Sequence, residues 1–265
     1  MARIGGGELE HRIEVKRKDE LGDLALSVNA MADDIRNMLE AKRHLLLAIS
    51  HELRSPLTRA RVNLALLPQS DARRLLERDL AEMETLTGEL LESERLNARH
   101  APLNRSAEDP AALAQEVIAE HFSGRGIRTE LDTGGSYVAL DAVRFKLLLR
   151  NLLENALRHT PEHAEPPILR IRINTEVWSL SVHDHGPGIS PEHLAHITEP
   201  FYRVDPSRRR KTGGYGLGLY LCRAIVEAHG GQLQIESRER AGTEVRAVFR
   251  ASGTDAPRDT GRDSA

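Results

Sequence analysis

Apolar residues recur in alternating steps of four and three from Leu24 onward, at Leu24, Val28, Met31, Ile35 and Met38. Such a repeat keeps one apolar stripe pointing in a single direction only on an α-helix, which confines this stretch to a coiled coil or helical bundle. The stripe runs on through Leu45, Ile49, Leu53, Leu57, Ala60, Leu64 and Leu67. Three consecutive steps of four, from 45 to 57, interrupt the alternation, and a stutter of this kind locally unwinds a supercoil. His51 sits inside it, two residues from both Ile49 and Leu53. That places it roughly 200° around the helix from the seam, at about 100° per residue, where it is expected to face solvent.

Pro68-Gln69-Ser70-Asp71 ends the first helix and supplies caps for a second. The second is expected over about 71–99, with Leu75, Leu76, Leu80, Met83, Leu86, Leu90 and Leu91 as its stripe. Two long helices joined by a short loop form an antiparallel hairpin. One hairpin has too little partner surface for its apolar face, so a homodimer forming a four-helix bundle is expected.

The texture changes after a polar, aperiodic stretch at 100–108, which reads as a linker. Asp109-Pro110 opens a helix ending near Phe122, and strands are expected at Ile127–Leu131 and Tyr137–Leu140. Asp141 caps a long helix through Arg158. Ile168–Thr175 and Val177–Asp184 alternate as a hairpin, a helix spans about 216–229, and Gln232–Ser237 with Thr243–Arg250 close a second hairpin. The expected fold class is α+β: an N-terminal helical hairpin that dimerises, followed by an α/β sandwich with one mixed sheet covered by helices. The boundaries read as 1–40 for a signalling helix, 41–100 for the hairpin, 101–252 for the sandwich and 253–265 for a disordered tail.

Bulk properties exclude some roles. The net charge of −3 gives no basic footprint for nucleic acid. Cys222 is the sole cysteine, so no internal disulfide forms, which fits a reducing, cytosolic compartment. No run of about 18 apolar residues spans a bilayer. Aromatic residues make up 3%, so the core must be aliphatic.

Four motifs carry chemistry. In His51-Glu52-Leu53-Arg54-Ser55-Pro56-Leu57 a histidine lies off the seam and a carboxylate follows it, able to take a proton from an attacking imidazole. Pro56 costs the helix about 3 kcal/mol and loosens it beside that histidine. A lone helical histidine is otherwise an ordinary solvated residue. Asn151, Asn155 and Arg158 or His159 share one helix face, suited to phosphate and to oxygen coordination of Mg²⁺. The same pattern fits a helix with incidental polar positions. Asp184-His185-Gly186-Pro187-Gly188 follows a strand, where glycines admit close ligand approach and a buried Asp can accept from an exocyclic amine; a simple turn reads the same way. Gly213-Gly214-Tyr215-Gly216-Leu217-Gly218 feeds a helix N-terminus, a ready anion site without the Walker A Gly-Lys-[Ser/Thr] ending. Between the glycine motifs, 189–213 carries Phe201 and the basic run Arg208–Lys211, which reads either as a lid over phosphates or as a solvated charge run.

In order and spacing these motifs resemble the boxes of bacterial two-component sensor histidine kinases, over roughly 20–252. His51–Leu57 is similar to their H box, Asn151–Thr160 to the N box, and Asp184–Gly188 to the first glycine box. Phe201 matches the F box, Gly214–Gly218 the second glycine box, and Gly242-Thr243 the short element beyond it. Asp19-Glu20-Leu21-Gly22 resembles the motif opening the second helix of a HAMP module. The resemblance implies ATP with Mg²⁺ as cofactors and His51 as phospho-acceptor. Glu52 becomes general base, Ser55 a residue tied to dephosphorylating the partner, and Asn155 the metal ligand. It implies nucleotide contacts from Asn151, Asn155, Arg158, His159, Asp184, Gly186, Gly188, Phe201, Gly214, Gly216, Leu217 and Gly218. The implied partners are a second copy and the receiver domain of a response regulator, with the kinase cytoplasmic and an upstream segment anchoring it in the bacterial inner membrane.

Two departures stand out. Ser55 replaces the frequent Thr or Asn, which bears on phosphatase activity, and Arg158-His159 replace the frequent Lys-Tyr. Rival readings are an ATPase of the same nucleotide-binding superfamily and a non-catalytic scaffold. Against the first stands Asn151, where those ATPases place a glutamate to activate water; against the second stand Asn155, Asp184 and the intact glycine boxes.

Overall fold

The computed structural model describes residues 12–13, 19–97, 103–204 and 215–250, with backbone alone at 21, 39–40, 42–44, 47, 50–51 and 97. The chain divides into two compact units, 1–87 and 88–265.

The first unit is built on α1 (Glu20–Ala65) and most of α2 (Asp71–Asn97). The Asp19 carboxylate accepts from Gly22 N–H at 3.1 Å and starts α1, as an N-cap should. Ser70 Oγ accepts from Arg73 N–H at 3.1 Å and starts α2. Ala25, Asn29 and Ala32 share one face of α1: both alanines are buried, and the Asn29 amide exchanges two 2.9 Å hydrogen bonds with the backbone of Ile13. Arg12 pairs with Asp33 on the same side. The heptad stripe lies elsewhere on the helix. Leu57 and Leu64 are buried, whereas Leu24, Met31, Ile35, Met38, Leu45, Ile49 and Leu53 are 40–70% exposed on the single chain.

The second unit begins with the last turns of α2, where Leu91, Ser93 and Leu96 are buried. It continues through β1 (Ser106–Glu108), α3 (Pro110–His121), β2 (Arg128–Asp132), β3 (Val138–Leu140), α4 (Ala142–His159), β4 (Ile168–Ile173) and β5 (Val177–Asp184). After α5 (Pro191–Leu194) and α6 (Gly218–Ala228), β6 (Gln232–Arg238) and β7 (Gly242–Arg250) complete it. One sheet runs β2-β4-β5-β7-β6, with β2 parallel to β4 and the other neighbours antiparallel. α4 and α6 bury Leu148, Leu149, Leu152, Leu153, Leu221 and Ile225 in a core shared with Leu169, Ile171, Leu180, Val182 and Ala247. The alternation of strand residues read from sequence thus delivers one buried face. Trp178 stacks on Phe249 with ring centroids 4.1 Å apart.

Two stretches differ from the expectation. The stretch read as a linker contains β1, which pairs antiparallel with β3 in a separate two-stranded sheet, Ser106 opposite Leu140. Three residues are too few to show a period, and their partner is far away in the chain. Within 189–213, Pro191–Leu194 form a short helix, a single turn too brief to display amphipathicity.

A buried polar junction fastens the N-terminus of α4. Asp141 accepts from Arg144 N–H (3.1 Å) and Asn104 N–H (3.0 Å), and Arg144 also grips Glu92 of α2 at 2.8 Å. Burial works against the Asp141 charge, yet these donors and the guanidinium hold its carboxyl below the ordinary range. The Asp141 N–H is received by His229 Nε2 at 3.1 Å, while His229 Nδ1 lies 2.8 Å from the Ile225 carbonyl. This geometry fits only the neutral ring protonated on Nδ1, because an imidazolium could not accept at Nε2. Burial pushes the His229 pKa down, against the Ile225 carbonyl, which favours the charged ring. The unfolded chain therefore takes up a proton first as pH falls. Stability of the α/β unit should be complete above about pH 6.5 and decline below it, by on the order of 2–4 °C in melting temperature. A His229→Gln protein should show a shallower acid slope between pH 7 and 5 in calorimetry; an unchanged slope would remove His229 from the account.

Candidate functional site

The residues singled out by sequence fall in both units. In the helical unit, residues 51–57 lie inside α1, whose helical backbone continues across Pro56. Proline offers no N–H to the Glu52 carbonyl, so one rung of the ladder is missing immediately after His51. Glu52, Arg54, Ser55 and Pro56 are exposed. Arg59 donates from Nη1 to Ser55 Oγ at 2.9 Å, and Thr58 Oγ1 donates to the Arg54 carbonyl at 2.9 Å. The side chain of His51, and with it the expected solvent-facing orientation, lies outside the described residues.

In the α/β unit, Asp184 is the last residue of β5 and only 5% exposed. Its Oδ1 accepts two backbone N–H groups, from Gly186 at 2.8 Å and Thr243 at 3.2 Å. Among the described residues no hydrogen bond reaches Oδ2, which is left to accept from a ligand. Burial pushes the Asp184 carboxyl above the ordinary carboxylate range, against the Gly186 and Thr243 donors and the nearby His159. Gly186 has no room for a side chain, since a Cβ there would sit 2.8 Å from both Asp184 Oδ1 and the His159 carbonyl oxygen. The end of α4 thus packs directly on the first glycine loop. Thr160 Oγ1 lies 3.4 Å from the His185 N–H, the His183 and His185 rings meet edge to face at 4.9 Å, and His185 Nδ1 is buried without a partner among the described residues.

The polar face of α4 runs from interior to solvent. Asn151 is buried, and its Nδ2 donates to the Leu147 carbonyl at 2.9 Å. Its Oδ1 lies against Gly218, where a Cβ would be 3.1 Å away. Asn151 therefore seats the start of α6 on α4. Asn155 is half-buried, and no described residue hydrogen-bonds its side chain, so its amide oxygen is available to a cation or phosphate-bound water. Arg158 and His159 are exposed beyond it. α6 begins at Gly218 without a side-chain cap, presenting its first N–H groups and the positive end of its dipole to an anion. Leu217 ahead of it is buried and Gly216 half-buried. Phe201, 61% exposed, donates its N–H to the Gly216 carbonyl at 3.0 Å, which joins the two ends of the 201–216 segment. Gly214 and the basic run 208–211 lie outside the described residues.

Sequence reading passed over one contributor, Ser237, which binds this loop system and belongs to no motif that stands out in a single sequence. The same reading gives Thr160, the last residue of the 151–160 motif, no role of its own, yet its Oγ1 receives the His185 N–H. Chemically, the arrangement combines a buried acceptor at a strand end, a free amide oxygen, exposed cationic reach and an uncapped helix. That set suits a base, a metal and a chain of phosphates in that order.

The model of the histidine kinase-, DNA gyrase B- and HSP90-like ATPases matches residues 140–253, and the HAMP domain model matches residues 1–37. The sensor protein RstB of Escherichia coli (strain K12) is 37% identical over 245 residues, 91% of this chain and 56% of that protein. The signal transduction histidine-protein kinase BaeS of the same strain is 31% identical over 247 residues, 87% of this chain and 51% of that protein. The chain spans about half the length of the curated relatives it matches. Full-length ShkA, solved in complex with AMPPNP, is similar with a TM-score of 0.62 and 25% identity over 80% of this chain and 47% of that one. The Acinetobacter baumannii histidine kinase AdeS shares the fold, with a TM-score of 0.56 and 22% identity over 77% of this chain and 98% of that one. No helix among the described residues is long and apolar enough to cross a membrane.

Proposed function

Because this chain belongs to the bacterial two-component sensor histidine kinases, we propose that it binds ATP with Mg²⁺ in the α/β unit, phosphorylates its own His51 and passes the phosphoryl group to an aspartate of a response-regulator receiver domain. The observation that carries the reading is Asp184: a buried carboxylate with both backbone donors on one oxygen and the other left to accept an exocyclic amine. The similarity to ShkA, solved with AMPPNP, supports a nucleotide in this site.

The roles follow from position. Asp184 Oδ2 receives the base amine. Arg158 and the first N–H groups of α6 supply positive charge to the phosphates, and His159, whose pKa desolvation holds below the ordinary imidazole range, serves them as a neutral N–H donor; positioning with charge neutralisation is most of what phosphoryl transfer requires. Asn155 is the side chain that would hold Mg²⁺, which would neutralise charge on the phosphates. Glu52 takes the proton from one imidazole nitrogen while the other attacks the γ-phosphorus, the bond to the bridging oxygen breaks, and ADP leaves. The half-exposed stripe from Leu24 to Leu53 is what a second copy covers, which supports a homodimer. The HAMP match supports an upstream membrane anchor in the inner membrane and a cytoplasmic kinase region.

The test is incubation with γ-labelled ATP and Mg²⁺. The protein should acquire a label that is labile in acid and stable in base, as a phosphoramidate is, and lose it on addition of a receiver domain. Sustained hydrolysis with no label on the protein would replace the kinase with an ATPase.

A further inference from the structure

The division into residues 1–87 and 88–265 falls inside α2, which runs unbroken from Asp71 to Asn97. The last turns of that helix are fastened to the α/β unit. Leu91, Ser93 and Leu96 are buried, Leu96 belongs to the same apolar core as α4 and α6, and Glu92 grips Arg144 at 2.8 Å. Leu103 packs on that core too. The chain stays attached beyond it, through the Asn104 N–H on Asp141, Arg105 Nη2 on the Ala228 carbonyl at 3.1 Å, and β1 on β3. Residues 97–102 thus begin and end on one unit, and the stretch read from sequence as a linker is a loop of that unit rather than the joint between the two. The boundary itself carries Thr85, Thr87 and Gly88, the only threonines and the only glycine of α2. Both threonine hydroxyls turn back on the helix, donating to the Ala81 and Met83 carbonyls at 2.9 and 2.8 Å, contacts that weaken and bend a helix. Glycine is the costliest residue in a helix interior short of proline. Packing does not demand it at 88: the position is exposed, and nothing lies within 4 Å of where a Cβ would be.

We propose that α2 bends at Thr85–Gly88, and that this is the joint on which the α/β unit moves as one body with the last turns of α2. Kinks arise at glycine and where a side chain competes for the hydrogen-bond ladder, and both conditions meet here. The inference rests on the reading of the chain as a kinase of His51. That reading requires a moving part, because His51 must face the γ-phosphorus first and a receiver aspartate afterwards, and the two cannot occupy the same space. His51 and the residues proposed to hold the nucleotide lie in different units, so the units must take two placements. A stiff helix from 71 to 97 would hold them to one. Hinges of this kind are a few residues that absorb a change in backbone angles, and Gly88 is the residue of α2 that does so most readily.

The experiment stiffens the joint in the full 265-residue chain through Gly88→Ser and Gly88→Ala, which raise helix propensity in that order. Amide hydrogen exchange along α2 should show a minimum of protection at 85–91 in the wild type, with slower amides on both sides. Gly88→Ala should slow exchange there by about fivefold, with Gly88→Ser in between. Labelling from γ-labelled ATP should slow in the same order, by up to about fivefold, with ATP affinity within about twofold of wild type. Adding Thr85→Ala and Thr87→Ala to Gly88→Ala should deepen the loss of rate to more than about tenfold. Asp79→Ala, also exposed and also a gain in helix propensity on α2, should change neither the exchange at 85–91 nor the rate. Even protection from 72 to 96 overturns the proposal, and so does a labelling rate that ignores Gly88→Ala while exchange slows. A wild type that binds ATP and shows the exchange minimum but takes no label strikes the kinase reading alone, and the joint stands.

Discussion

Replacing His51 by glutamine should reduce phosphoryl incorporation to background while leaving ATP affinity within about twofold of wild type. Glutamine keeps the polarity and length of the side chain and disturbs helix propensity little, but it has no basic ring nitrogen to attack phosphorus. The residues proposed to hold the nucleotide belong to the other compact unit. Glu52→Gln should act differently: the nucleophile remains, its proton acceptor goes, and the rate should fall by roughly 10²–10⁴ with the final extent of labelling approached slowly. The measurement is the time course of acid-labile label on wild type and both variants. The chain has 12 histidines, so label persisting on His51→Gln would move the acceptor to another of them and dismantle the assignment of the 51–57 motif.

The second large effect belongs to a glycine. Gly242 has φ +87°, and a Cβ there would overlap the Asp184 carbonyl oxygen. The obstacle is backbone of the neighbouring strand, which cannot swing aside as a side chain can. Gly242→Ala must therefore push β7 from β5 at the pair that delivers the Thr243 N–H to Asp184. Destabilisation of roughly 3 kcal/mol or more is expected, with ATP affinity down about a hundredfold in whatever folds. Gly230 is the control. Its φ of +78° is just as left-handed, but nothing lies within 4 Å of its Cβ position. Gly230→Ala should show the conformational cost alone, about 1–2 kcal/mol, and near-normal nucleotide affinity. Equal losses in the two variants would mean that left-handed strain, and not contact with Asp184, explains Gly242.

Features governed by local periodicity were readable in advance. The cap at Ser70, the extent of α1 and α2, the Asp141 cap of α4 and both hairpins follow from spacing and side-chain chemistry within a few residues. The position of Asp184 at a strand end was readable for the same reason. What escaped depends on residues far apart in the chain. β1 exists because β3 offers it a partner. Asn151 and Asn155 look alike on a helical wheel, yet α6 covers one and leaves the other available, and the helical period cannot distinguish them. Ser237 gains its meaning only when β5, β7 and β6 are aligned in register, 48 residues from the Ile189 N–H it receives. The heptad stripe was legible as a stripe, while its exposure on one chain is a fact of the fold.

Trp178 is the only tryptophan in the sequence, and it is buried in the α/β unit against Phe249. Nature has thus placed one intrinsic optical reporter in one half of the molecule. Its emission should follow the melting of the sheet and be blind to the helical hairpin, whereas far-ultraviolet dichroism sums both. Coincident curves from the two signals would describe a single cooperative transition, and separated curves would give each unit its own melting temperature without cutting the chain.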